Sequence, residues 1–112
     1  MPKPTWSAEE YAIYAWHLSH KGTERQAQFA VEREGFNPRE RWKDAGPVLE
    51  ALMVNPWLVS ACYDESCGQY ELSTHAPEYE SDGEDLCILI YNDTLLEAIE
   101  CFCWELHQKE KT

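Results

Sequence analysis

The stretch Trp57-Leu58-Val59-Ser60-Ala61-Cys62-Tyr63, followed by Asp64-Glu65-Ser66-Cys67-Gly68 and then Gln69-Tyr70-Glu71-Leu72-Ser73-Thr74, decides the fold class of this chain. Its first part is rich in β-branched and aromatic residues, its middle holds turn formers, and its last part resumes a strand-like composition, so the whole reads as an antiparallel hairpin. Leu86-Cys87-Ile88-Leu89-Ile90-Tyr91 is a continuous apolar run and predicts a further strand, the most buried of the sheet. Between the two lies Ala76 to Asp85, which is polar and acidic and contains Pro77 and Gly83, the composition of a loop.

Helical patterns flank this β-like centre. Ser7 with Glu10 makes a capping box, and Trp6 and Tyr11 occupy the positions of a hydrophobic staple, so a first helix is expected from Ala8 to Lys21 with Gly22 as its C′ stop. Thr23 and Gln26 repeat the capping box before a second helix, Glu24 to Glu34, ended by Gly35. The tight connection at Gly22 predicts an αα-hairpin. Asn37-Pro38 then opens a short turn over Arg39 to Asp44 that carries Trp42. A third helix is expected after it, with Pro47 in its first turn and Val48, Leu49, Leu52 and Met53 facing the core. Asn92-Asp93-Thr94 caps a last helix from about Leu95 to Gln108, in which Leu95, Ile99, Phe102 and Leu106 recur at helical spacing. The expected fold is therefore α+β: an N-terminal helical hairpin, a short helix, a small antiparallel sheet of about three strands, and a C-terminal helix packed on that sheet.

At 112 residues the chain is one domain, divided into a helical hairpin extension (1–36) and an α/β core (37–108). The start Met1-Pro2-Lys3-Pro4 offers no apolar run of a secretory signal, and no stretch approaches a membrane span. An odd count of five cysteines argues against a disulfide scaffold, so a cytoplasmic protein with reduced thiols is expected.

Charge is the sharpest functional signal. The first 43 residues are nearly neutral, yet between Lys43 and Lys109 there is no lysine or arginine and there are fourteen carboxylates, which accounts for a net charge of −12. Such a surface repels nucleic acid and attracts basic proteins. The cationic cluster Arg25, Arg33, Arg39, Arg41 and Lys43 is too small to reverse this, though it suits a homodimer pairing it with the acidic half of a second copy.

The segment Trp42-Lys43-Asp44-Ala45-Gly46-Pro47-Val48-Leu49-Glu50, with Asp93-Thr94-Leu95-Leu96-Glu97-Ala98-Ile99 opening the last helix, resembles the phage ABA sandwich domain family over roughly residues 37–106. The resemblance implies a phage origin and an α/β architecture and brings no catalytic residues. The family often has a basic residue after its Ala-Ile pair, where this chain continues Glu100-Cys101-Phe102.

Other candidate sites are weaker. His17 and His20 share a helical face but lack further ligands at a fixed spacing. Cys62 and Cys67 flank the hairpin turn near His75, but Cys101-x-Cys103 is a poor second chelating pair. Cys67 as a nucleophile is opposed by Asp64, Glu65 and Glu71, which disfavour a thiolate. No catalytic residue, metal or cofactor is therefore expected. Trp16, Trp42, Trp57 and Trp104 are read as core.

The leading expectation is a non-enzymatic phage inhibitor of anti-CRISPR or anti-restriction type, whose carboxylates take the place of phosphates on the basic surface of a nucleic-acid-binding host protein. Its contact residues would be Glu78, Glu80, Asp82, Glu84 and Asp85 in the acidic loop, with Glu97, Glu100 and Glu105 on the last helix. The alternatives are an accessory or structural phage protein whose acidity serves solubility, and a small Cys/His or carboxylate hydrolase.

Overall fold

A computed structural model describes residues 3–54, 57–74 and 88–110. The elements run α1 (Ala8–Ser19), α2 (Glu24–Glu32), α3 (Trp42–Leu52), β1 (Val59–Asp64), β2 (Gln69–Thr74), β3 (Leu89–Asn92) and α4 (Leu95–Glu110). The strands form one antiparallel sheet in the order β1-β2-β3, with β2 in the centre. The architecture is α+β as the sequence predicts. α4 lies on β2 and β3, and α1 and α3 pack against each other and against α4.

Local chemistry explains the helix starts. Ser7 accepts the N–H of Glu10 at 3.1 Å, and the Trp6 ring stacks on Tyr11 with centroids 5.3 Å apart, so the staple forms. Thr23 and Gln26 complete a reciprocal capping box at the start of α2. Gly22 is needed for a close approach, not for a left-handed stop: a Cβ there would sit 2.5 Å from the Trp16 ring and 2.4 Å from the Gln26 side chain. α1 accordingly ends at Ser19, with His20 extended as its C-cap, two residues short of the expected Lys21.

α3 departs from expectation. Its start is Trp42 and Pro47 lies inside it, so no break separates Asp44 from Val48. Proline at that position frees the Lys43 carbonyl, and both Lys43 and Pro47 are exposed, so water can take the place of the missing N–H. Trp42 is half exposed and stands outside the core. Val48 and Leu52 are fully buried, Leu49 packs at the core's margin, and Met53 projects into solvent.

One core spans the chain. Tyr11 and Ala15 of α1 meet Ala45, Val48 and Leu52 of α3, Ile99, Phe102 and Cys103 of α4, and Val59, Leu72, Ile88 and Ile90 from the sheet side. The core thus includes Trp6 and residues of α1 as well as the segment from residue 37 onward. Among the described residues β3 lies at the edge of the sheet and is not its most buried strand: Ile88 and Ile90 face the core, whereas Leu89 and Tyr91 are 46% and 42% exposed, and Leu86 and Cys87 lie outside the described residues. An apolar run in a strand buries only its alternate members when a helix covers one face alone.

Candidate partner-binding surface

The register of the sheet sorts its side chains into two faces. Leu72 pairs with Ala61 and Ile90 on the face toward α4, so Glu71 pairs with Cys62 and Tyr91, and Ser73 with Ser60 and Leu89, on the opposite face. Among the described residues no helix packs on that second face. It carries the carboxylates of Glu71 and, at its hairpin end, Asp64, with an aromatic ring, an aliphatic side chain and small polar groups.

Glu71 is the electrostatic centre of this face. The Cys62 thiol donates to its Oε2 at 3.2 Å. That contact pushes the Cys62 thiol up from its usual range, and the negative charge of Glu71 does the same to the Tyr91 hydroxyl. Both shifts report a locally negative potential. At the hairpin end of the sheet, Asp64 accepts the Ser66 N–H at 2.9 Å and the Ser66 hydroxyl at 2.6 Å, which holds its carboxyl below the ordinary range and keeps it anionic. Gln69 reaches across to Asp93 at 3.2 Å. The turn itself closes through Gly68, whose φ of +70° an L side chain would resist.

The carboxylates expected on α4 do not act as one row. Glu97 is exposed at the first turn, and Glu105 lies two turns further on, about 12 Å along the axis. Glu100 is 8% exposed and points inward, so its assignment as a contact residue is corrected. It receives Arg39 through two nitrogens, Nη2 at 2.6 Å and Nε at 2.9 Å, and the Trp6 indole N–H at 3.0 Å. A bidentate guanidinium and an indole satisfy a carboxylate that would otherwise be costly to bury. The pair also fastens the segment before α1 and the turn before α3 onto α4. Glu78, Glu80, Asp82, Glu84 and Asp85 lie outside the described residues.

The remaining candidates separate. His17 pairs with Glu24 at 3.0 Å, while His20 stacks on Trp16 and meets Ser19, so the two imidazoles serve different partners. Cys62 lies on the open sheet face and Cys67 at the turn beside the Asp64 carbonyl, and His75 falls outside the described residues. Arg39 leaves the cationic cluster for Glu100, and Arg25, Arg33, Arg41 and Lys43 remain exposed.

Sequence reasoning missed Tyr91 and Leu89, which it placed in the interior. A signal existed in β2, where Glu71 and Ser73 alternate with Leu72 and Thr74. That alternation marks one solvated face, and pairing carries it across to β3. Comparison with protein-family models, curated proteins and solved structures returned no match. Among the described residues no helix is long and apolar enough to cross a membrane.

Proposed function

We propose that this chain is a non-enzymatic acidic binding protein that engages the basic, nucleic-acid-binding surface of a host defence protein in the cytoplasm, as an inhibitor of anti-CRISPR or anti-restriction kind. The observation that carries the reading is a sheet face centred on Glu71 that no helix covers among the described residues, in a chain with no lysine or arginine from residue 44 to 108. Charge steers a basic partner to the molecule, and exposed aromatic and aliphatic side chains supply the short-range contact that steering lacks. Glu97 and Glu105 extend the negative field along α4. The phage attribution rests on the resemblance of residues 37–106 to the phage ABA sandwich domain.

The test is affinity capture from bacterial lysate after nuclease treatment, with two baits. One is the natural chain; the other has Glu71, Glu97 and Glu105 replaced by Gln. The reading expects a nucleic-acid-binding protein that is retained by the first bait, lost from the second, and released by moderate salt. Equal retention on both baits would contradict it and leave the acidity to serve solubility.

A further inference from the structure

We infer that Glu71 and Tyr91 on the open sheet face form an arginine-recognition site, which takes a guanidinium group presented by the basic partner. The inference rests on the acidic-binding reading above and specifies what that surface selects. In the register, Cys62, Glu71 and Tyr91 stand side by side across the three strands, each on the face away from α4. Adjacent strands lie ~4.8 Å apart, so a group bound to the Glu71 carboxylate is within reach of the Tyr91 ring. Tyr91 is 42% exposed and Leu89 next to it 46%, which leaves aromatic and aliphatic surface open beside the charge.

Among the described residues no cation pairs with Glu71. His17 pairs with Glu24 and Arg39 with Glu100, both away from this face. The Cys62 thiol donates to one carboxylate oxygen and leaves lone pairs for an incoming donor. Its position between Cys62 and Tyr91 partly screens Glu71 from water, which strengthens a charge-assisted hydrogen bond there.

Arginine fits this arrangement better than lysine. Its planar fork can donate to the carboxylate while its face lies on the tyrosine ring, and it is less strongly hydrated than an ammonium. Lysine can pair with the charge but uses the ring poorly. Selectivity for arginine over lysine is thus the signature that separates this site from a diffuse negative field.

The experiment compares the affinity of the full chain for poly-arginine and poly-lysine peptides of equal length at low salt. The natural chain is expected to favour poly-arginine by about two- to five-fold, the size of an exposed cation–π contact. Tyr91→Leu should abolish the preference, Tyr91→Phe should keep it, and Glu71→Gln should weaken binding of both peptides. Equal affinity for the two peptides, or a preference that Tyr91→Leu leaves intact, would overturn the arginine site while the acidic-binding reading stands. Failure of the natural chain to bind either peptide would overturn both.

Discussion

Tyr11 has no exposed surface, and its hydroxyl finds no partner among the described residues. Burial, with Cys103 and Glu100 nearby, pushes that hydroxyl far above the usual tyrosine range. An unpartnered buried hydroxyl costs stability, whereas the ring that carries it fills the core beneath Trp6. Tyr11→Phe should therefore stabilise the fold by about 1 kcal/mol in urea unfolding. A loss of that size would show that the hydroxyl is hydrogen-bonded. Glu100 presents the opposite case. Its carboxylate is satisfied by Arg39 and Trp6, so Glu100→Gln leaves a guanidinium facing a neutral amide. Arg39 is partly exposed, which tempers the cost to about 1–3 kcal/mol, less than for a fully buried pair. A double-mutant cycle with Arg39→Met measures the coupling and should find it well above that of a surface pair.

At the scale of elements, α3 offers a paired test. A Cβ on Gly46 would meet nothing within 4 Å, so Gly46→Ala should stabilise the protein by about 0.4–1 kcal/mol through the unfolded chain. Leu52 is wholly buried, and Leu52→Ala should cost about 2–5 kcal/mol. Thermal unfolding of both variants would check the placement of the helix, and the reverse ranking would refute it. The contrast shows what was legible in the sequence. Caps, the staple and the β1–β2 hairpin were readable because each depends on residues a few positions apart. Pro47 was misread because whether a helix tolerates proline depends on what solvates the freed carbonyl, which is a tertiary matter. The faces of β3 were hidden for a similar reason: Leu86 to Tyr91 has no polar alternation of its own in sequence, and the exposure of Leu89 and Tyr91 follows from pairing with β2. Glu100 was taken for a surface acid because its partner Arg39 is sixty-one residues away in sequence.

For the molecule as a whole, buried protons predict how stability changes in alkali. Desolvation raises the pKa of Tyr11, Tyr14 and Cys103 above their ordinary values of 10.0 and 9.0. In the unfolded chain these groups ionise at the ordinary values, so the unfolded state binds fewer protons once the pH passes them. Their contribution is fully present below about pH 8 and is lost as pH rises, first through Cys103 and then through the tyrosines. For Tyr11 and Cys103 the slope approaches ~1.4 kcal/mol per pH unit each. Cys103→Ala should shift the onset upward toward pH 10, which urea titrations across the alkaline range can follow. The same scale governs function. Fourteen carboxylates in a span without lysine or arginine, of which Glu100 is paired with Arg39, create a field that no single substitution removes, so function should respond to several neutralisations together. The central claim is that this surface occupies the place of nucleic acid on a basic partner. Competition at the captured partner tests it most directly, with labelled duplex DNA or RNA titrated against the protein at constant salt. Mutually exclusive binding, with the Glu71, Glu97 and Glu105 triple Gln variant losing the ability to displace the nucleic acid, is the predicted result; a stable ternary complex of partner, nucleic acid and this chain would contradict it.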